Sequence, residues 1–322
     1  MRPSSLLFIK PGSMGDVIHA LPVASSIHNA WPGTKITWIV DPRWEPLLRG
    51  NPAINRIHLF PRERFRGAGG FLRSISWYRS LRKLQPEMAL DLQCLLRSGV
   101  MASCSGAKTV FGLDDAREGA GFFYTNKIRV RRDEHAVRRY LRSVPSLGID
   151  PTTPWQWILP AGEPCRAISP PAPYIVLHPF SRGAGKSMDA AAIREFVEAF
   201  RSKSEKQILI VGAGMCGEDL GTGVVDLLGK TSLLELISLL RGASFVVSVD
   251  SGPMHLAAAL DVPLLSIHTW SDPRLVGPYS EKAWIWQGGE IRRQNLDAAP
   301  LPERAFTPAD ASAIGEFAAI QR

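Results

Sequence analysis

The chain has little cysteine and no long apolar run. Its four cysteines are scattered over 322 residues, at Cys94, Cys104, Cys165 and Cys216. They lack the paired spacing of a zinc site or a disulfide framework, which indicates reduced thiols. No segment approaches the roughly 20 consecutive apolar residues of a membrane-spanning helix, and the first apolar stretch is too short for a signal peptide. The sequence therefore predicts a cytoplasmic globular protein.

Short repeats and low-complexity tracts are absent as well, and strand-like and helix-like segments alternate instead. This alternation is typical of parallel α/β sheets. The expected strands are residues 6–9, 36–40, 56–59, 88–91, 109–111 and 126–130, then 174–177, 207–211, 245–249 and 264–268. Between the two series, residues 150–173 contain seven prolines, which exclude a regular helix or a central strand. We therefore predict a first domain over 1–155, a Pro-rich linker over 156–173 and a second domain over 174–322.

The net charge of +8 is unevenly distributed. Residues 1–150 carry 23 Lys and Arg against 12 Asp and Glu, whereas residues 151–322 carry 15 against 18. Basic residues interleave with Phe65, Phe71, Trp77 and Tyr78, and this basic cluster consists of Arg62, Arg64, Arg66, Arg73, Arg79, Arg82 and Lys83. Such a surface is suited to nucleic acid, an anionic membrane or a phosphorylated acceptor, and equally to ordinary solvation.

A turn between a short apolar strand and a helix is the most informative stretch. Residues 6–22 read Leu-Leu-Phe-Ile-Lys-Pro-Gly-Ser-Met-Gly-Asp-Val-Ile-His-Ala-Leu-Pro. Backbone N–H groups at a helix start attract phosphate, and Ser13 and Gly15 belong to this cradle. A carboxylate there, Asp16, can take a proton from an attacking hydroxyl. Asp is also a common helix cap, so both roles stay open.

Two phosphate-binding motifs are incomplete in the second half. Residues 183–187 read Gly-Ala-Gly-Lys-Ser and resemble the end of a P-loop, but Phe180 replaces the first glycine of that motif. Residues 212–217 satisfy the dinucleotide fingerprint, although this motif ordinarily follows the first strand of a domain. Both loops nevertheless follow strands at the edge where open α/β sheets bind ligands.

Residues 245–260 form a second strand-to-helix turn. The strand ends at Asp250, Gly252 follows, Pro253 suits the first helical turn and His255 lies in that turn. The arrangement predicts another anion cradle. A capping role for Asp250 and a core role for His255 are the alternatives.

Taken together and in order, these segments resemble one family. They are Gly12-Ser13-Met14-Gly15-Asp16, His178-Pro179-Phe180-Ser181 with Lys186, Asp250-Ser251-Gly252-Pro253-Met254-His255, and Ser271-Asp272-Pro273 with Gly277-Pro278-Tyr279. They are similar to the ADP-heptose:lipopolysaccharide heptosyltransferases of glycosyltransferase family 9 over nearly the whole chain.

The resemblance implies a GT-B architecture, in which two Rossmann-like doubly wound domains face each other across a cleft. The first would bind the acceptor and the second the nucleotide-sugar, without metal or cofactor, and the C-terminal helix is a candidate for packing back on the first domain. Matching positions make Asp16 the general base. They assign the donor phosphates to Ser181 and Lys186, the pyrophosphate and heptose to Asp250, Ser251, Gly252 and His255, and the ribose to Glu218. Acceptor-side residues are expected to be Ser13, Gly15, Arg62, Arg64 and Arg66.

The expected activity is inverting, metal-independent transfer of heptose from ADP-heptose to Kdo or heptose in the lipopolysaccharide inner core. The enzyme would lie peripherally on the inner face of the inner membrane and bind no nucleic acid. One alternative is a family 9 transferase with another nucleotide-sugar or acceptor, because His268-Thr269-Trp270-Ser271-Asp272-Pro273 stands where many relatives carry Phe-Gly-Pro-Thr-Asp-Pro. A further alternative is a non-catalytic nucleotide or nucleic-acid binding protein that uses the basic half.

Overall fold

The computed structural model describes residues 2–167, 173–214, 221–299 and 301–321. The chain divides into two compact units, Met1–Pro160 and Ala161–Arg322. The Pro-rich segment is shared between them. Gln156 N donates to Ser25 Oγ in the first unit at 3.1 Å, whereas Glu163 N donates to Leu234 O in the second at 3.0 Å.

The first unit contains a six-stranded parallel sheet with the order β3-β2-β1-β4-β5-β6. The strands β1 to β6 are Ser5–Ile9, Lys35–Val40, Arg56–Leu59, Met88–Asp91, Thr109–Leu113 and Asn126–Ile128. The helices α1 to α5 are Met14–Ala30, Ala68–Ser80, Leu96–Cys104, Ala136–Leu141 and Ser143–Ser146. The strand order reverses between β1 and β4, which is the position at which doubly wound sheets bind ligands.

The second unit repeats this order in a seven-stranded sheet, β13-β12-β11-β10-β7-β8-β9, in which only β13 is antiparallel to its neighbour. The strands β7 to β13 are Tyr174–His178, Gln207–Ile210, Val224–Asp226, Phe245–Val249, Leu264–Ile267, Ala283–Gln287 and Glu290–Arg293. The helices α6 to α10 are Ala190–Arg201, Leu233–Gly242, Gly252–Ala259, Pro273–Val276 and Pro308–Ala319. Here the reversal lies between β7 and β10.

Apolar strands dictate these sheets. Every residue of β7, β10 and β11 is buried, as expected for strands covered on both faces. In the first unit, α1 is buried over most of its length, from Met14 to Ile27. Among the described residues, no helix is long and apolar enough to cross a membrane.

The C-terminal helix α10 packs on α6 of its own unit. Ala311 and Ile314 share a core cluster with Phe196 and Phe200. The approach is close, because a Cβ at Gly315 would lie 2.5 Å from Phe196 O. The apolar face of α10 is thus buried within its own unit. Packing of this helix on the first domain stays a prediction.

Candidate functional site

The turn after β1 holds Asp16 at the third position of α1. Ser13 is the N-cap, and both its backbone N–H and its hydroxyl donate to Asp16 Oδ2, at 2.9 and 3.0 Å. Gly12 lies against Trp44, where a Cβ would come within 3.0 Å of the indole nitrogen. Gly15 is buried in the first helical turn. The capping role that the sequence left open is therefore real, and it uses one carboxylate oxygen.

The other oxygen of Asp16 has different partners. Tyr140 OH donates to Oδ1 at 2.9 Å, and Lys10 Nζ lies 3.2 Å from the same oxygen. Lys10 is buried at 2% exposure and also donates to Leu92 O and Tyr140 OH. Burial raises the pKa of Asp16, but Lys10, Ser13 and Tyr140 together hold it below its usual value. The Asp16 side chain keeps 36% of its surface exposed, so an ionised carboxylate is accessible to a ligand.

Asp16 lines a cavity of about 430 Å³ at the β1/β4 reversal. The cations on its wall are Lys10, Arg117, Arg132 and Arg139, and its carboxylates are Asp16 and Asp115. Arg139 is paired with Asp115. The pocket therefore has an excess of positive charge, with a proton acceptor at its edge.

The arginines predicted for the acceptor side lie elsewhere. Arg62 and Arg64 lie on a short 3₁₀ turn, Arg62–Phe65, and Arg66 follows it, with all three exposed. Arg66 Nε pairs with Glu63 at 3.1 Å. None of the three is among the side chains that line the cavity beside Asp16.

In the second unit, Asp250 follows β10 and pairs with Lys186 from the loop after β7. Ser181 Oγ donates to Asp250 O at 3.1 Å. Burial raises the pKa of Asp250, whereas His268, Lys186 and other neighbours lower it to a net value below the usual range. Lys186 and Asp250 therefore form a charged pair, with side chains 16% and 8% exposed.

Ser251, Gly252 and His255 form the start of α8. Ser251 is the N-cap, Gly252 is the first helical residue and Pro253 the second. Ser251 Oγ lies 3.1 Å from His178 Nδ1. Burial lowers the pKa of His178 to about 4, so this imidazole is neutral at pH 7 and fixes the serine by a hydrogen bond.

Trp270 covers the Lys186 loop. Its indole Nε1 donates to Ala184 O at 3.2 Å, and Lys186 Nζ lies 4.2 Å from its ring centroid. Half of the Trp270 surface is exposed. The neighbouring His268 is fully buried between Ser266 and Ser271, and burial lowers its pKa to about 4. Residues 268–273 thus contribute both an exposed indole and a buried neutral histidine.

The glycines of the dinucleotide-like loop have a packing role. A Cβ at Gly212 would lie 2.8 Å from His178 Cδ2, and one at Gly214 would lie 2.8 Å from the Phe180 ring. Both glycines have positive φ, at 127° and 151°. Glu218, the expected ribose-binding acid, lies outside the described residues.

Sequence reasoning missed Lys10, Tyr140, Arg139 and Trp270 as site residues. Lys10 had a local signal, since it is a cation at the end of an apolar strand. Tyr140 had none, because 124 residues separate it from Asp16. Within the described part of the chain, no group of three or more His, Cys, Asp or Glu is arranged to hold a metal ion.

Two doubly wound α/β units, each with charged residues at its strand-order reversal, are consistent with the GT-B class of glycosyltransferases. The family model described as glycosyltransferase family 9 (heptosyltransferase) matches residues 75–298. The chain belongs to this family, and it is an enzyme of the glycosyltransferase class.

Individual relatives agree with this membership. Lipopolysaccharide heptosyltransferase 1 of Salmonella typhimurium (strain LT2) is 30% identical over 313 residues, covering 92% of this chain and 98% of the relative. The structure of E. coli heptosyltransferase WaaC with ADP is 26% identical with a TM-score of 0.72, covering 87% of this chain and 92% of that one. WaaC with ADP-2-deoxy-2-fluoro heptose has the same identity and TM-score, with coverages of 88% and 93%.

Proposed function

We propose that this enzyme transfers heptose from ADP-heptose to the lipid-linked inner core of lipopolysaccharide, with inversion at the anomeric carbon. The observation that carries the proposal is the ionised Asp16 carboxylate, held at a helix N-terminus and open to a cationic pocket. The family and the bound ligands of WaaC support the choice of donor.

The donor half of the reaction is assigned to the second unit. The leaving diphosphate gathers negative charge as the bond from the anomeric carbon to its oxygen breaks. We assign stabilisation of that charge to the Lys186 ammonium and to the N-terminal N–H groups of α8, with Ser181 and Ser251 as hydrogen-bond donors. Asp250 holds Lys186 in place. His255 and Glu218 stay assigned to heptose and ribose through the family resemblance.

The acceptor half is assigned to the first unit. Asp16 takes the proton of the acceptor hydroxyl while the hydroxyl oxygen attacks the anomeric carbon. One displacement therefore yields the inverted product and ADP. Four cations against two carboxylates in the pocket favour an acid sugar over a neutral one. Of the two acceptors considered, Kdo therefore fits better than heptose.

We assign the enzyme to the cytoplasmic face of the inner membrane because its proposed acceptor is lipid-linked. There it would be a peripheral protein that contacts an anionic lipid surface and binds no nucleic acid. The basic surplus of residues 1–150 supports this position. The family membership favours neither a non-catalytic binder nor a nucleic-acid protein.

Donor and acceptor are tested together by following release of the nucleoside diphosphate from the donor. A deacylated, water-soluble Kdo acceptor is compared with a heptose-terminated one, and ADP-, UDP- and GDP-sugars are compared as donors. We expect ADP release only with ADP-heptose and the Kdo acceptor. Equal rates with the heptose-terminated acceptor would contradict the acceptor assignment, whereas preference for UDP- or GDP-sugars would contradict the donor.

A further inference from the structure

One face of α2 exposes large apolar side chains to solvent. Phe71, Leu72 and Ile75 are 64%, 68% and 36% exposed. Positions 71 and 75 are one helical turn apart, and residue 72 is only about 100° away from residue 71 around the axis. The three side chains therefore form one continuous strip, which we call the α2 apolar face.

The opposite side of α2 is already used by the fold. Trp77 Nε1 donates to Leu59 O at 3.0 Å, and its ring lies 5.0 Å from that of Phe60. At Gly70 a Cβ would lie 2.4 Å from the Phe65 backbone. Trp77 and Gly70 hold the helix on this unit, so the packing of α2 does not use the α2 apolar face.

The α2 apolar face belongs to a basic stretch of the sequence. The basic cluster has seven Lys and Arg within residues 62–83, against a single acid, Glu63. Glu63 is paired with Arg66. Arg79 lies one turn beyond Ile75 on the same face, whereas Arg73 Nε donates to Arg64 O at 3.1 Å. An exposed apolar strip with an arginine on the same face and further basic residues close in sequence matches an anionic lipid surface, where apolar groups enter the acyl boundary and guanidinium groups meet lipid phosphates.

Nucleic acid fits this surface less well. Binding to single strands uses aromatic rings on which bases stack. Four aromatic residues are interleaved with the basic cluster. Phe65, Trp77 and Tyr78 pack on the core of the first unit, and of the four only Phe71 is largely exposed. Leu72 and Ile75 offer no stacking surface.

We propose that α2 is a membrane anchor, which inserts Phe71, Leu72 and Ile75 into an anionic bilayer while Arg79 and other arginines of the basic cluster bind lipid phosphates. This inference rests on the membrane-linked acceptor of the proposed function. It assigns the contact to a helix that the cavity beside Asp16 does not include.

The test uses the full chain and vesicles of phosphatidylcholine with 30% phosphatidylglycerol, in a flotation assay. The triple variant Phe71→Ser, Leu72→Ser and Ile75→Ser is compared with Phe122→Ser, a control in the same unit at a residue 93% exposed. We expect the triple variant to bind on the order of 10- to 100-fold more weakly, because three large apolar side chains no longer leave water. The control is expected to bind like the unaltered protein, and neither variant should lower the Tm, since the replaced side chains are exposed.

Several outcomes would overturn the anchor. These are equal vesicle binding by the triple variant, no binding of the unaltered protein to anionic vesicles, and an equal loss of affinity for a single-stranded oligonucleotide in the triple variant. If the triple variant lowers the Tm, the single variant Leu72→Ser repeats the comparison. Transfer to the deacylated acceptor separates the two proposals. The rate of this transfer should be unchanged in the triple variant. If the unaltered protein shows no transfer, the proposed function is contradicted, and vesicle binding still decides whether α2 is an anchor.

Discussion

Asp16 carries two kinds of contact, and a single substitution separates them. In Asp16→Asn the amide can still accept from Ser13, but it is a far weaker proton acceptor. We expect kcat for transfer to fall about 10²–10⁴-fold, with ADP affinity unchanged. The Tm should also fall, because buried Lys10 loses its anionic partner.

The control for this variant is Asp133→Asn, which neutralises an exposed carboxylate of the same unit. Steady-state rates and ADP titrations on both preparations decide the question. A kcat of Asp16→Asn close to that of the unaltered enzyme would rule out the general-base role.

Lys186 is the cation assigned to the donor phosphates. Lys186→Ala removes that charge and leaves Asp250 unpaired next to the place where the diphosphate would bind. We expect at least ~10-fold weaker binding of ADP, because a charge-assisted contact is lost and a like charge is uncovered. Isothermal titration with ADP measures this.

Arg182→Ala is the matched control for Lys186→Ala, since it removes an exposed cation from the same loop. The double variant Lys186→Ala with Asp250→Asn should recover part of the lost affinity by removing the uncovered carboxylate. Equal ADP affinity in Lys186→Ala and the unaltered protein would contradict the donor-site assignment.

Trp270 holds the Lys186 loop by a ring contact and a hydrogen bond. Trp270→Leu removes both, whereas Trp270→Phe keeps a ring under the ammonium. We expect the KM for ADP-heptose to rise by roughly 2- to 30-fold in the Leu variant and by less in the Phe variant. If both variants show the KM of the unaltered enzyme, Trp270 does not position Lys186.

At the level of residues, the local sequence pattern predicts only some of the residues of each site. Asp250 could be predicted as a candidate because it directly follows an apolar strand, and Asp16 because it lies at the start of the helix that follows one. Lys10 and Tyr140 become neighbours only after the sheet has formed, and their side chains are 130 residues apart in sequence. A pattern of nearby residues contains no information on such a contact.

Among the elements, the 3₁₀ turn with Arg62 and Arg64 provides a test of separate acceptor and donor functions. Replacing Arg62, Arg64 and Arg66 together by Gln should raise the KM for the lipid-linked acceptor or weaken binding to anionic vesicles. ADP affinity should hardly change, because the donor residues lie in the other unit.

Three exposed lysines of the second unit, Lys203, Lys230 and Lys282, give a control with the same change in net charge. Parallel losses of donor and acceptor affinity in the arginine variant would argue against separate functions. No loss of either would mean that these arginines are only solvated.

Most strands were predicted, including the edge strands β3 and β6 of the first sheet, whereas β9, β12 and β13 of the second sheet were missed. The expected strand 245–249 coincides with β10 because the run is apolar throughout. The strand β13, Glu290–Arg293, was missed because three of its four residues are charged. The strand β9 was missed because it has only three residues, of which none is buried.

For the whole molecule, the absence of a metal requirement remains a prediction. If Lys186 and the start of α8 meet the diphosphate charge, transfer should proceed at the same rate after exhaustive treatment with a strong chelator. Initial rates with and without added Mg²⁺ measure this. A rate that the chelator abolishes and Mg²⁺ restores would contradict the assigned stabilisation of the leaving group.

The domain order was predictable because the strand pattern restarts after the Pro-rich segment. The exact division was not, because a proline-rich composition predicts irregular backbone without identifying the unit it packs on. Side-chain hydrogen bonds decide that, and the Asn51 amide donates to Ile158 O at 3.0 Å.

The attachment of residues 154–158 to the first unit has a consequence for synthesis on the ribosome. Asn29 donates to Pro154 O, and Asn51 donates to Ile158 O, so the earlier unit lacks these partners until residue 158 has left the exit tunnel. Strand β7 begins only at Tyr174. Since N-terminal domains fold first during translation, we expect the nascent chain to complete its first unit before the first strand of the second has emerged.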